Sequence, residues 1–548
     1  MANVNSLEKK LGFNPFEKLN GPNCQKKGFI TETYSPDGGR MYFTVKNAER
    51  IDYCRSKIDE WHRKKNTSDE ENAYLLACLL DSVSSVSNTA GVYGAYLKKW
   101  DNRALKPFSM QKITCDTNPQ ANVISVSNSH AEDCIENIEC DILYLDPPYT
   151  QNQYGTQYHL LETLTENDRP NVSKITGSRH VTPYRSKWSS DNLVHIAFEK
   201  IIAETKAKYI ILSYSSDGFM TPNFIKEILC RYGNEATFVQ KDIAYKNYTN
   251  KKSKHKCSHC EYLFFIEKKK EESIVVDAPL NYTGSKAKLI EKIRKYIPNE
   301  KNVSLFVDLF GGGFNFGANM PYKKMVYNDI NDRIVNLLKS FYEKECASYI
   351  RDIKKCIEKK SLTKGNKDAY LKLRAEYNKN PSELLLYVLI LYGFQQQIRF
   401  NGKKEFNNPA GNRWFNENLQ ARFIAFNRQI KKKNISFLSM DFEKVLEPLG
   451  KGDFIYADPP YSGTLGVYND GKRGFYNWSP TEDKRLLSKL TDAGKRGVKF
   501  MLSYEDQGNT TILNWVKENG YRMISLDSNQ GRYNKRKEMI VVNYEAQN

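Results

Sequence analysis

Two short stretches hold residues suited to chemistry on an exocyclic amine. Asp458, Pro459, Pro460 and Tyr461 stand in the run DFIYADPPYSGTLGVY, and Asp146 to Tyr149 repeat the same tetrapeptide in DILYLDPPYTQNQYG. In each, an acidic residue opens a short apolar and aromatic run that reads as a buried strand, and the tetrapeptide is the stiff loop at its end. Two prolines fix φ and remove two backbone donors, leaving the loop's carbonyls free to accept hydrogen bonds from a ligand. The N6 amine of adenine offers two N–H donors and a lone pair delocalised into the ring. A carboxylate and a backbone carbonyl that accept both hydrogens draw that nitrogen toward tetrahedral geometry and aim its lone pair at an electrophile. Asp458 and the carbonyl of Pro459 are the candidates, with Tyr461 stacked on a base that must leave the duplex to be reached. Asp146 and Tyr149 are their counterparts in the first copy. A tight turn with an N-capping Asp is the alternative for either copy taken alone.

The elements that would position these residues lie upstream of the second copy. In SLFVDLFGGGFNFGANM an apolar strand runs through Asp308 and Phe310 into Gly311, Gly312 and Gly313, and MVYNDIN is a further strand closing on Asp329. Strand, glycine turn, helix, strand and acid is the layout of a nucleotide-type pocket at the carboxyl edge of a parallel sheet. Glycines let a ligand lie against the backbone and let φ become positive. The run is not a GxGxxG fingerprint, so a phosphate-bearing cofactor is not specifically indicated. Asp329 is placed to accept hydrogen bonds from ribose hydroxyls, or else to cap the helix that follows.

The repetition extends beyond the tetrapeptide. KAKYIILSYSSDG from Lys206 matches GVKFMLSYEDQG from Gly497, and EYLFFIEKK from Glu261 stands where EMIVVNYE stands from Glu538. The sequence predicts an α/β fold of two tandem units with mostly parallel sheets, 1–270 and 271–548, joined near the charged KKKEESIVVDAPL stretch. A more helical, charged insert occupies about 339–432. Before GFITETYSPDGGRMYF no strand leads into a glycine turn, so the first unit's cofactor half is missing or supplied from elsewhere.

Composition sets the broad class. Lys and Arg number 83 against 64 Asp and Glu, a formal charge of +19. That excess suits a polyanion-binding surface, although a merely Lys-rich surface is the alternative. The 11 cysteines form no disulfide framework and the start of the chain has no apolar signal core, which predicts free thiols and a cytoplasmic protein without a membrane span. HKCSHC, ending at Cys260, has a CxxC with two histidines nearby but no second ligand pair at zinc-finger spacing, so no metal is expected.

In that order, NYTGSK, FVDLFGGG, YNDIN, RFNGKKEFNNPAG and YADPPYSG resemble the Dam-type (D12 class, alpha-group) adenine-N6 DNA methyltransferases, over essentially all of Leu280 to Asn548. The resemblance implies a Rossmann-like fold that uses S-adenosyl-L-methionine. It places Tyr282 and Lys286 at the methionine end of that cofactor, Asp308 to Gly313 beneath it, Asp329 on its ribose, and Asp441 and Phe442 of FLSMDF at its adenine edge. The phenylalanine after the glycines departs from the commoner small residues. QIRFNGKKEFNNPAGNR resembles the family's DNA-facing loop, which makes Arg399, Asn401, Lys403 and Asn412 candidate DNA contacts, with an exposed basic loop as the alternative.

The first unit resembles the same family through SNTAGVYGAYLKKW, its DPPY and the SRHVTPYRSKW region. Fused pairs of this kind resemble modification methylases of restriction systems that act on asymmetric sites, each half treating one strand. The implied partners are double-stranded DNA, an upstream polypeptide completing the first unit, and a cognate restriction endonuclease. No Cys lies beside either DPPY, which disfavours cytosine-C5 chemistry and favours direct in-line transfer. Methylation of cytosine N4 or of RNA adenine N6 is the enzymatic alternative. A DNA-binding specificity subunit without turnover is the alternative of another class.

Overall fold

The computed structural model describes residues 4–114, 124–180, 185–244, 260–282, 284–460, 478–506, 510–526 and 537–546. They form two compact units. One comprises Met1–His130 with Pro148–Ser190, the other Ala131–Pro147 with Asp191–Asn548.

The first unit is helical. Its longest helices, Val45–Arg63 and Asp69–Ser84, start at a Thr44 cap and at a Ser68/Glu71 capping box, which satisfy backbone donors that helix ends otherwise leave orphaned. Tyr34, Tyr42, Ile51, Ile58, Leu79 and Leu160 are fully buried in the unit's core. Gly28 offers no side chain to cap the helix Phe29–Tyr34. Buried Asp52 does so from the neighbouring helix, accepting from the backbone N–H of Ile30 at 3.0 Å and of Thr31 at 2.8 Å. A Cβ on Gly28 would lie 2.8 Å from that carboxylate, so the glycine makes room for the cap.

The second unit contains two sheets. In chain order its strands are β1 (Ile142–Leu145), β2 (Tyr209–Ser215), β3 (Val239–Ala244), β4 (Cys260–Glu267), β5 (Leu305–Asp308), β6 (Lys324–Asn328), β7 (Asn434–Leu438), β8 (Asp453–Ala457), β9 (Lys499–Asp506), β10 (Arg522–Leu526) and β11 (Lys537–Val542). The larger sheet has seven strands in the order β10-β11-β9-β8-β5-β6-β7. All neighbours from β9 to β7 are parallel, while β11 pairs antiparallel with both β9 and β10. The expected α/β class with a mostly parallel sheet is what the chain adopts. Strands covered on both faces read as continuous apolar runs, as β5 and β8 do. The chain steps outward from β5 to β7, then returns to lay β8 on the other side of β5, so the strand order reverses between β5 and β8.

The smaller sheet has the order β1-β2-β4-β3. Strand for strand and direction for direction, this is β8-β9-β11-β10 of the larger one. The register agrees as well: Leu145 pairs with Leu212 just as Ala457 pairs with Leu502. Among the described residues nothing lies where β5 would lie. Ile142 and Tyr144 of β1 are therefore 57% and 59% exposed, whereas Phe454, Ile455 and Tyr456 of β8 are fully buried.

Packing and sequence repetition divide the chain along different lines, and a buried polar network shows why. Helices Asp191–Glu204 and Pro222–Tyr232, which accompany the smaller sheet, pack on Glu417–Lys431 of the helical insert between β6 and β7. Fully buried Glu199 accepts from Arg428 Nε at 2.8 Å and from the Tyr232 hydroxyl, and Arg428 Nη2 donates to that hydroxyl at 3.0 Å. Glu204 adds Lys432 at 2.8 Å. Among the described residues no helix is long and apolar enough to cross a membrane.

Breaking a buried pair by removing one partner strands the other charge. Glu199→Ala is expected to cost about 3–5 kcal/mol, seen as a lower urea midpoint at unchanged slope. Replacing Glu199 and Arg428 together by methionine should recover much of the loss.

Candidate active site

The carboxyl ends of β5, β6, β7 and β8 converge on one cavity, as the strand reversal requires. Its lining includes Tyr282, Lys286, Asp308, Phe310, Gly311, Gly312, Gly313, Asp329, Asp441, Phe442, Asp458, Pro459 and Pro460. The second half's cofactor-binding and DPPY candidates thus meet in space from five separate stretches of chain. Tyr461 falls outside the described residues.

The glycine turn has more than one cause. Gly312 has a φ of 49°, the left-handed region that favours glycine. Its Cβ would lie 2.9 Å from the ring of Tyr282, and one on Gly313 would lie 2.7 Å from that residue's Cβ. Gly311 sits against the ring of Tyr327, whose hydroxyl donates to the Gly312 carbonyl at 2.7 Å. The absent side chains thus admit protein rings as well as a ligand. Phe314 also has positive φ, 62°, and its ring is buried edge-on against Tyr327 at 4.9 Å.

Three carboxyl groups lie at strand ends beside this turn. Asp308 is buried and accepts from the Gly317 N–H at 3.0 Å. Burial pushes its pKa up to about 8, with Asp458 and Asp329 adding repulsion. Asp329 accepts from Gly312 N–H at 3.0 Å and Asn331 N–H at 2.8 Å. Burial raises its pKa too, against those two hydrogen bonds. The cap of the following helix is Asn331, which accepts from Arg333 and Ile334, so Asp329 is left to face the glycine turn. Asn328 ties the strand ends together, donating to the carbonyls of Leu309 and Met440 at 3.1 Å each.

Asp458, directly after β8, is held by Lys286. The ammonium lies 3.3 Å from Asp458 Oδ1 and 3.0 Å from Glu538 Oε1. Across the cavity Phe310, Phe442 and Trp478 form an aromatic wall with centroid separations of 5.4 to 5.9 Å. Asp441 caps its helix through Glu443 N–H and pairs with Arg485 at 2.6 Å, and that guanidinium lies over the Phe442 ring. Four carboxyl groups, one ammonium and an aromatic wall suit a ligand that carries both a positive charge and a planar base.

The loop after helix Glu383–Tyr392 carries the four candidate DNA contacts. Lys403 and Asn412 are exposed and Arg399 is half-buried. Asn401 has a structural duty unseen in the sequence: its carbonyl accepts from Lys403 and Glu405 N–H, and its amide donates to Glu405 Oε2 at 2.7 Å. Gln395 and Gln396 hold φ of 50° and 56°, and Asn281 of the NYTGSK loop donates to the Gln395 carbonyl at 2.7 Å. In the first half Asp146 is exposed and Tyr149 is 39% exposed. Trp478, Arg485, Ser503 and Glu538 were not singled out from sequence. The Ser503 and Glu538 positions lie in the repeated strands, and that repetition was the available signal. Among the described residues no group of His, Cys, Asp and Glu is arranged to hold a metal; of HKCSHC only Cys260 is described.

Comparison with known proteins gives concordant results. The D12 class N6 adenine-specific DNA methyltransferase family matches residues 24–228 and 282–532. The type II methyltransferase M.FokI of Planomicrobium okeanokoites is 35% identical over 546 residues, 94% of this chain and 84% of that protein. Modification methylase StsI of Streptococcus sanguinis is 33% identical over 96% of this chain and 84% of its own length. The type II methyltransferase M.NlaIII of Neisseria lactamica is 35% identical over 44% of this chain and 72% of itself. With the family matched on both sides of the repeat and the cavity formed, the chain belongs to the D12 class of N6 adenine-specific DNA methyltransferases.

Proposed function

We propose that the second half binds S-adenosyl-L-methionine in this cavity and methylates N6 of a flipped-out adenine within a specific duplex sequence, as the modification component of a restriction-modification system. The observation that carries the reading is the gathering of Lys286, Asp308, Asp329 and Asp458 around a glycine turn in one cavity. The residues fit the cofactor. Each Asp329 oxygen accepts one backbone N–H and retains capacity for a ribose hydroxyl. The aromatic wall suits adenine, and the excess of carboxyl groups suits a sulfonium. When bound, S-adenosyl-L-methionine supplies an electrophilic methyl group. Asp458 and the Pro459 carbonyl accept the two N6 hydrogens, direct the lone pair toward that methyl, and Asp458 takes the proton that N6 releases. Tyr461 stacks on the base, while Arg399, Asn401, Lys403 and Asn412 face the DNA.

By sequence repetition, 1–270 and 271–548 are tandem methyltransferase-like units, with the target-recognition insert at about 339–432. The matching order and register of the two sheets support this reading. Exposed Ile142 and Tyr144 on β1 favour a first repeat, 1–270, that is silent alone and is completed by an upstream polypeptide carrying a strand and glycine turn. Asp146 and Tyr149 would then serve the opposite strand. A cognate restriction endonuclease and a cytoplasmic location complete the proposal.

Asp458→Ala is expected to abolish methylation of duplex DNA, measured with labelled cofactor, while DNA binding persists; retained turnover would refute the carboxylate's role. Single-molecule mapping of N6-methyladenine made by the purified chain should show one methylated strand at a short asymmetric site. Two methylated strands would mean that the first unit works unaided. Binding should also depend on pH. Asp308, with its pKa raised to about 8, is largely protonated at neutral pH in the free protein. A sulfonium beside it favours the ionised form, so binding releases a proton and affinity rises with pH until it levels off above about 8. Calorimetry should find this slope for S-adenosyl-L-methionine, a weaker one for the product, whose thioether sulfur is uncharged, and a shallower one in Asp308→Asn.

A further inference from the structure

Glu538 is an acid inside an apolar strand, followed on β11 by the fully buried Ile540, Val541 and Val542. Its Oε1 accepts from the buried Ser503 hydroxyl at 2.9 Å and lies 3.0 Å from the Lys286 ammonium. That ammonium is also the one on Asp458. The side chains of Lys286, Glu538 and Asp458 are 8%, 10% and 17% exposed, so one cation is shared by two carboxylates largely out of water. In such surroundings a charge feels its partners strongly, and the loss of one partner redistributes the others.

The serine and glutamate recur in the smaller sheet. Ser213 Oγ donates to Glu261 Oε1 at 3.0 Å. In both sheets the serine follows the residue paired with the one before the DPPY aspartate. It also pairs with the residue two beyond the glutamate, Leu263 in one sheet and Ile540 in the other. A serine bonded to a glutamate in the same register behind two separate DPPY loops points to a part of the site rather than to an incident of packing.

We propose that Glu538, fixed by Ser503, is a positioning residue for methyl transfer, holding the Lys286 ammonium where it orients the Asp458 carboxylate toward the adenine amine. The inference rests on Asp458 being the carboxylate that receives N6. With Glu538 neutralised, Lys286 leans toward Asp458 and draws its charge away from the amine. The effect therefore belongs to the chemical step rather than to binding.

The test uses the purified full chain, unmethylated duplex DNA and labelled S-adenosyl-L-methionine. Calorimetric titration with S-adenosylhomocysteine counts the competent sites, so that a poorly folded fraction cannot pass for slow chemistry. Glu538→Gln should lower kcat per competent site by about tenfold or more, with KM for DNA and Kd for S-adenosylhomocysteine within about twofold of the parent. Ser503→Ala should act in the same direction and less, and Glu538→Asp should restore part of the rate. Parental kcat per site in Glu538→Gln overturns the proposal, as does a rise in KM or Kd at unchanged kcat. Where Glu538→Gln fails to fold, Ser503→Ala decides by the same criteria. Asp458→Ala, assayed beside them, separates the two readings. Turnover there defeats the role of Asp458 itself, whereas its loss beside a fully active Glu538→Gln defeats only the positioning role.

Discussion

The reversal of strand order between β5 and β8 is the constraint on which the site depends. Parallel strands all end at one edge, and at the point where the chain turns back the loops on either side diverge and leave a crevice. Into that crevice β5 delivers Asp308 and the glycine turn, β6 delivers Asp329, and β8 delivers Asp458. Placing three carboxyl groups at adjacent strand ends is costly, since each repels the others and burial disfavours all of them. The chain offsets that cost locally. Gly317 and Gly312 each turn a backbone N–H on a carboxyl group, and Lys286 shares its charge between Asp458 and Glu538. A cation entering the cavity would relieve what repulsion remains, which agrees with the proposal of a positively charged ligand.

The backbone is held in unusual conformations close to the same point. Left-handed φ at a bulky residue costs on the order of 1–3 kcal/mol, and Phe314 adopts it at 62°. Full burial of a phenylalanine side chain returns about 1.5–3 kcal/mol, and Phe314 is completely buried against Tyr327, Phe426 and Phe437. The two are of one size, so packing tolerates the strain with little to spare. Gln395 and Gln396 have no comparable compensation for the pair: Gln396 is buried but Gln395 is exposed. Their strain is held instead by hydrogen bonds, including that from Asn281 at the start of the cofactor-side loop. The loop expected to face DNA is thereby linked to the one expected to face the cofactor.

What could be read from the sequence was what is local. The DPPY strand, the glycine turn and the acid after β6 each announce themselves within about ten residues by period, proline and glycine, and the structure brings these together. The helical insert between β6 and β7 was legible for the same reason. Contacts closed by the fold were not. Trp478 and Arg485 reach the cavity wall from a helix start that carries no motif, and Glu538 meets Lys286 from the far end of the chain. Asn401, read as a DNA contact, also braces its own turn, a duty that depends on geometry two and four residues on. The division by packing was equally hidden, because it depends on Glu199 meeting Arg428 across 229 residues.

The smaller sheet shows what half of this architecture is without its complement. It keeps the order, the register, the aspartate after β1 and the serine bonded to glutamate. Among the described residues it has no strand in the place of β5, and with it no switch point, no glycine turn and no ring of strand-end carboxyl groups. The consequence is visible at the side chains. Positions that β8 buries completely are more than half exposed on β1, and an open parallel edge with apolar residues is a template for a further strand. What separates the two copies among the described residues is thus a neighbouring strand rather than the acid at the strand end.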